Sequence, residues 1–295
     1  MTNNRKNIQN DSLRKKIESI IKLPALPTIV SKILQLIDNP RGTDVNTLSK
    51  LILSDQVLTT KILKVANSPF YGYAGQISTI QRAIVVIGFN EVKSILLSSS
   101  IMNMFKMDDR DFSYFKFWEH SVAVAIIMRM LSRTYYYMIS GEAFVSGLIH
   151  DIGKIIIHQY LYTDFKEIMK KMREEGKSYL RAEREVLGVT HSEIGSWLLK
   201  KWNMPPNLIN SVLYHHNPEL AEEDKPLVAF VHFADYLVKR LKIGDSLNNE
   251  ITISDSIWSI FEENGIDIVP EDIDLILERA KSEVDKTEGF ISLLK

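Results

Sequence analysis

His150 and Asp151 stand side by side in Gly147-Leu-Ile-His150-Asp151-Ile-Gly-Lys154, inside an apolar, helix-compatible stretch. An imidazole and a carboxylate buried there without partners would each carry a desolvation cost, so each needs a hydrogen bond, an ion pair or a metal. The chain has no cysteine, which excludes disulfides, thiolate metal sites and cysteine nucleophiles. Any metal site must therefore use His, Asp or Glu. Further candidates of those types are His120, His191, His215, His216 and Asp235. Singly, each has an ordinary explanation. A lone His on a buried stripe is a hydrogen-bonded core residue, a His pair at a helix end is a cap, and an Asp on an apolar stripe is half of a buried ion pair. Lys154, one turn beyond His150, is by itself a solvated helix-end lysine. Together the seven nitrogen and oxygen ligands exceed the six positions of one octahedral ion. Two divalent ions sharing a carboxylate would use them all, with Asp151 as the natural bridge. Such a set suits Fe, Mn, Ni or Zn. Two ions held ~3.5–4 Å apart activate water and clamp a phosphoryl group.

The elements that must position these residues are helical. Phe117, His120, Val124, Ile127 and Leu131 recur at helical spacing within a helix expected over 112–135, which puts His120 on the buried stripe. One helix over 141–159 would carry Ala143, Gly147, His150, Asp151 and Lys154 on one side, with Ala143 and Gly147 small enough for another helix to approach closely. Thr190 and Glu193 have the spacing of a capping box, which sets His191 in a first turn where the helix dipole favours neutral imidazole. Pro205-Pro206 opens a helix that Pro218 stops, leaving His215 and His216 at its C-terminal end. Over 227–241, Val228, Val231, Asp235 and Val238 share a face. His158 and His232 join no constellation and are read as structural or exposed.

The first part of the chain shows the same period. Leu13, Ile17, Ile20 and Ile21 are at helical spacing, Leu23-Pro-Ala-Leu-Pro27 interrupts, and Ile29, Ile33, Leu34 and Ile37 resume it. Asn39-Pro40-Arg-Gly42 is a turn. Asp55 caps a helix that Asn67-Ser68-Pro69 ends, Phe70-Tyr71-Gly72-Tyr73 is an aromatic loop, and Ser78-Thr79 opens a helix that Gly88 closes. No alternating strand pattern occurs, so the expected fold class is all-α. Residues 1–11 are a polar lead-in expected to be disordered. Residues 12–242 form one domain, with parts 12–108 and 109–242 divided at the charged Lys106–Asp111, and 243–295 form an acidic helical extension.

The composition, 45% apolar and 25% charged, is that of a globular protein with a sizeable core. Charge is uneven: from Asp245 onward there are 13 acidic residues against 4 basic, leaving residues 1–244 formally +8. That excess could favour a phosphate-bearing ligand, although scattered lysines and arginines are also what solvated helix faces carry. They are not clustered with aromatics, so nucleic acid is not an expected partner. The N-terminal residues lack an apolar leader, and no apolar run approaches the ~20 residues that span a bilayer. A cytoplasmic protein without membrane contact is expected.

The order of the ligands, an early His, then His-Asp, then His, then a His pair, then Asp, resembles the HD superfamily of metal-dependent phosphohydrolases. By that resemblance His120, His150, Asp151 and Asp235 hold one ion. Asp151 bridges to a second, held by His191 and by one or both of His215 and His216, and Lys154 faces substrate phosphate. Motifs along the whole chain narrow the likeness to the HDOD domain: Leu23-Pro-Ala-Leu-Pro27, Asp55-Gln56, Ala66-Asn67-Ser68, Phe70-Tyr71-Gly72, Ile77-Ser78-Thr79-Ile80, Ile87-Gly88, Gly147-Leu-Ile-His150-Asp-Ile-Gly, Trp202-Asn-Met-Pro205 and His215-His216-Asn-Pro218. The resemblance runs from Leu13 to Leu241 and implies an N-terminal helical part packed on an HD-like part that carries the metal site.

The related HD-GYP branch, which hydrolyses cyclic di-GMP, has Gly-Tyr-Pro downstream of its paired histidines, and some members bind a third metal through a Glu one turn before the early His. Here His215-His216 is followed by Asn217-Pro218, and Lys116 holds the Glu position, so cyclic di-GMP hydrolysis is not expected. HDOD proteins are generally bacterial signalling or regulatory modules. The expected function is thus signal transduction through binding of signalling proteins or a nucleotide, with inputs from separate proteins and with the oligomeric state open. The alternative is a di-metal phosphohydrolase acting on a phosphate ester or nucleotide, with metal-bound hydroxide as nucleophile and Asp151 and Lys154 as its catalytic residues. A weaker third is a di-iron oxygenase.

Overall fold

A computed structural model of the chain describes residues 28, 31–32, 45–67, 72–73, 75–105, 111–135, 140–247 and 250–286. Expectations for residues 1–27, the Asn39–Gly42 turn, Phe70 and Tyr71, the charged segment 106–110 and the chain beyond Lys286 fall outside these residues. Among the described residues every regular element is helical, as the fold class requires.

The first helices are α1 (Val45–Leu53), α2 (Gln56–Ala66), α3 (Ile80–Ile87) and α4 (Phe89–Met104). Their ends follow the sequence. The Asp55 carboxylate accepts from the backbone N–H groups of Val57 and Leu58, and Thr79 accepts from that of Arg82. Gly88 separates α3 from α4 at φ +88°. Ile52, Ile62, Val65, Ile80 and Ile84 are buried between them.

The second part is built on α5 (Tyr114–Tyr135), whose residues from His120 to Arg129 are all buried. Against it lie α6 (Ser140–Ile149) and α12 (Lys225–Leu241). α4 packs on α6, which joins the two parts. A Cβ at Gly147 would stand 2.7 Å from Ala125 Cα, so the close approach of α6 to α5 depends on that glycine. The single helix expected over 141–159 is two. α6 ends at Ile149, His150 and Asp151 form a turn, and α7 (Ile152–Tyr160) follows.

α8 (Tyr162–Glu175) and α9 (Tyr179–Leu187) then return the chain to α10 (His191–Lys201), which crosses α7 with Gly153 and Gly195 at the contact. A Cβ at Gly153 would lie 1.9 Å from the His191 carbonyl oxygen. α11 (Pro206–Tyr214) packs on α6, α10 and α12. The acidic extension packs back on the body. α13 (Ser256–Glu263) sets Phe261 against Phe230 at 5.0 Å between ring centroids, and α14 (Ile273–Asp285) lies on α5. No described helix is long and apolar enough to cross a membrane.

Candidate metal centre

The seven ligand candidates converge where α5, the α6–α7 turn, α10, α11 and α12 meet. They form two groups: His120, His150 and Asp235, and Asp151, His191, His215 and His216. Within each group the nearest donor atoms lie within 4.8 Å of one another. In the first, His120 Nε2 is 3.0 Å and His150 Nε2 3.8 Å from Asp235 Oδ1. In the second, His191 Nε2 and His215 Nε2 lie 3.1 and 3.5 Å from Asp151 Oδ1. The groups meet at Asp151, whose Oδ2 is 3.3 Å from His150 Nε2.

The imidazoles are aimed by their far nitrogens. His150 Nδ1 donates to the Gly147 carbonyl at 2.7 Å and His215 Nδ1 to the Val212 carbonyl at 2.8 Å. A carbonyl only accepts, so each ring presents a lone pair on Nε2 toward the centre. The Nε2 atoms of His120, His150 and His215 are buried without a hydrogen-bond partner, and so are Oδ1 of Asp151 and of Asp235. Lone pairs thus face carboxylate oxygens in a dry interior, an arrangement that a cation between them would satisfy. His191 differs. Its Nδ1 is 2.8 Å from Oε2 of fully buried Glu183, the carboxylate–histidine support that fixes a ligand's tautomer and raises its basicity. His216 Nε2 sits 3.1 Å from His191 Nε2.

Charge is balanced inside the protein. Lys154 is not a solvated helix-end residue: it is fully buried, and its Nζ donates to Asp151 Oδ2 at 2.6 Å and to the Ser246 carbonyl at 2.7 Å. Lys239 donates to Asp235 Oδ2 at 2.6 Å. Burial alone would raise the Asp151 carboxyl, but His150 and Lys154 hold it well below the usual carboxylate range. Asp235 is treated likewise, by Lys239 and His120. Burial lowers His120, takes His215 down to about 4, and with His215 and His191 puts His216 well below the ordinary value. These rings are neutral and ligand-ready near pH 7, so His215 and His216 are not positively charged caps. His191 departs from the first-turn expectation. Burial lowers its pKa, yet Glu183 and Asp151 outweigh that and raise it.

Solvent reaches the two groups unequally. The strap 242–247 lies over His120 and Lys154. A Cβ at Gly244, which has φ +67°, would stand 2.4 Å from His120 N, and Asp245 N–H donates to the Lys116 carbonyl at 2.9 Å. His216 is the ligand left partly exposed, and it lines a cleft of about 590 Å³. The two remaining histidines are structural and buried. His158 meets Tyr114 Oη at 3.0 Å. His232 accepts from Ser254 N–H through Nε2 and therefore donates through Nδ1 to the His215 carbonyl at 2.7 Å, which fixes the end of α11.

Residues 23–218 match the HDOD domain family. A protein of Treponema pallidum (strain Nichols) without an assigned function is 26% identical over 235 residues, 76% of this chain. The chain spans 44% of that relative's length. Among solved structures, an HDOD domain protein of unknown function from Geobacter sulfurreducens superposes with a TM-score of 0.83 at 26% identity, covering 96% of this chain and 97% of the other. A Shewanella amazonensis SB2B protein, provisionally named a phosphohydrolase, has the same fold at 23% identity and a TM-score of 0.75, covering 96% and 98%.

Proposed function

This chain belongs to the HDOD domain family, and on that premise we propose that it is a bacterial signal-transduction protein. On this reading it holds divalent metal at its His/Asp centre and acts by binding a nucleotide or a partner protein in the cytoplasm. One observation carries the reading. Five of the seven candidate ligand atoms, Nε2 of His120, His150 and His215 and Oδ1 of Asp151 and Asp235, are buried without a hydrogen-bond partner, whereas the adjacent cation, Lys154, is buried and bonded to Asp151 and Ser246. A lysine that served turnover would be offered to substrate. This one is committed to the protein, so the arrangement suits holding an ion better than working on a passing ester.

His120, His150 and Asp235 would hold one ion, and His191, His215 and His216 a second, with Asp151 between them. Bound metal of this kind polarises phosphoryl oxygens and lowers the pKa of water. The chain's own contribution is orientation. Glu183, the Gly147 carbonyl and the Val212 carbonyl set three imidazoles, while Lys154 and Lys239 keep both carboxylates ionised. The Glu183–His191 pair also favours a second reading, a working phosphohydrolase, because such a pair strengthens a ligand in catalytic and structural sites alike.

The separating experiment measures bound metal per chain, then turnover of phosphate esters and cyclic dinucleotides with Mn or Fe. Bound metal without turnover is expected. Turnover that Asp151→Asn abolishes would replace the regulatory reading with the hydrolase. A protein that takes up no metal under either condition would remove both.

A further inference from the structure

We propose that the cleft over His216 is the ligand entrance of the centre and that it receives a phosphate group, gripped by Arg181 and Arg184. The proposal deepens the preceding reading and rests on its claim that the centre holds metal.

Access comes first. Six of the seven ligands are fully buried, and His216, the partly exposed one, ends at the floor of the cleft. The opposite approach is narrower: a second pocket, lined by His120, opens beside the segment 242–246. The strap carries the Ser246 carbonyl that takes the Lys154 ammonium and the Gly244 backbone that touches His120. The cavity beneath the strap is smaller, about 250 Å³, and one of its cations, Lys239, is bonded to Asp235.

Charge comes second. Arg181 and Arg184 are three residues apart on α9, so their side chains share a face, and both line the cleft. They are 71% and 52% exposed; Arg181 meets Glu185 only through Nε, at 3.4 Å, and Arg184 meets Glu193 and the Gly188 carbonyl only through Nη1, so each keeps N–H donors for a ligand. Glu193 is the carboxylate on the cleft wall. It receives Arg184 Nη1 at 2.9 Å and the Thr190 N–H at 2.8 Å, which orients the Arg184 fork. A guanidinium has five N–H donors, and the remaining ones can meet two phosphate oxygens side by side.

A third feature points to an acceptor-rich ligand independently of charge. Ser192, in the first turn of α10, lines the same cleft and is 3% exposed, and its Oγ has no hydrogen-bond partner. A hydroxyl left unpaired in the lining of a cleft that also carries two arginines, at the N-terminus of an eleven-residue helix, fits an anionic oxygen. The volume is that of a small-molecule site, and Leu213 and Leu220 give it an apolar wall for the rest of the ligand.

The test uses the full chain loaded with Mn, its metal content measured first, and inorganic phosphate as the probe. Binding is read by calorimetry and by Mn-induced broadening of the ³¹P line. Broadening is expected. Arg181→Gln and Arg184→Gln should each weaken phosphate about tenfold, the loss of one charge-assisted contact. Lys242→Gln, at the start of the strap and in the lining of the smaller pocket, should leave affinity unchanged. Loss of binding in Lys242→Gln with retention in the double arginine variant would place the entrance under the strap and overturn the proposal. A metal-loaded protein that ignores phosphate refutes the cleft alone. A protein without bound metal refutes the reading of the centre and the cleft with it.

Discussion

His120, His150 and Asp235 lie behind the segment 242–247, whereas the group of Asp151, His191, His215 and His216 reaches an open cleft through His216. The groups differ as much in charge as in access. In the first, one carboxylate, Asp235, is matched by one ammonium, Lys239. In the second, two carboxylates, Asp151 and Glu183, face a single ammonium, Lys154. Asp151 and its partner Lys154 border both groups, so the difference in charge is Glu183, a carboxylate behind His191 of the second group that no lysine matches. On the proposed reading, the group that solvent reaches is therefore also the one expected to hold its ion more tightly. Access and affinity coincide there, as they should where a ligand is received.

The largest test of this division acts on the residue the groups share. Asp151→Asn removes the carboxylate that touches His150, His191 and His215 and leaves Lys154 buried without its ion-pair partner. Breaking a buried pair costs about 3–5 kcal/mol, and denaturant unfolding should show it. Metal content should fall at both groups. A variant that lost metal from one group alone would show that Asp151 is not common to both.

Acid should next act in opposite senses on two members of the second group. His215 has a pKa of about 4 in the folded protein, against 6.5 for the free side chain. Between those values the unfolded chain binds a proton that the folded chain does not. Stability is then fully present above pH 6.5 and is lost as pH falls toward 4, by up to about 3 kcal/mol from this residue. His191 works in the opposite sense. Its raised pKa gives stability that is present below pH 6.5 and is lost as pH rises through the folded value. Thermal melts of metal-free protein should therefore fall from pH 6.5 to 4, and His215→Gln should flatten that slope. An unchanged slope would mean that the acid sensitivity arises elsewhere.

Five of the seven candidate ligands were legible in the sequence because they sit on a pattern of period 3.6 or beside a capping signal. His120 and Asp235 lie on apolar stripes, Thr190 and Glu193 place His191, and Pro218 places His215 and His216. What surrounds them was not legible to the same degree. The turn at His150-Asp151 contains neither proline nor glycine, so a continuous helix fits the local sequence equally well. Only packing on α5 and α10 sets the break. The Ser246 carbonyl that takes Lys154 is a backbone atom 92 residues away, and no local pattern reports it. Glu183 was within reach. Tyr179, Glu183 and Leu187 fall at i, i+4 and i+8, which puts a carboxylate on a buried stripe by the same rule that picks out Asp235.

Glu183 gives the next, smaller effect. Glu183→Gln keeps the shape and loses the charge opposite His191 Nδ1. Loss of such support lowers metal affinity about 10–100-fold. Chelator competition should show the weakening for one ion per chain and leave the other unchanged. Equal weakening of both ions would erase the distinction between the groups.

Lys239→Met tests the other side of the comparison. Its ammonium sits 2.6 Å from Asp235 Oδ2, the oxygen turned away from His120 and His150. The lysine therefore does not occupy a ligand position. It acts through charge. At an effective dielectric of about 20, unit charges 4–5 Å apart repel by roughly 3–4 kcal/mol, and the methionine variant relieves that repulsion for an ion in the first group. Against this, an Asp235 without its ammonium protonates more readily, which takes back most of the gain. The net expectation is about tenfold tighter metal in the first group, with the second group unaltered. Lys239→Arg keeps the charge and should behave as the parent protein. If Met and Arg give the same metal affinity, charge balance is not what distinguishes the two groups, and the strap alone must account for the difference.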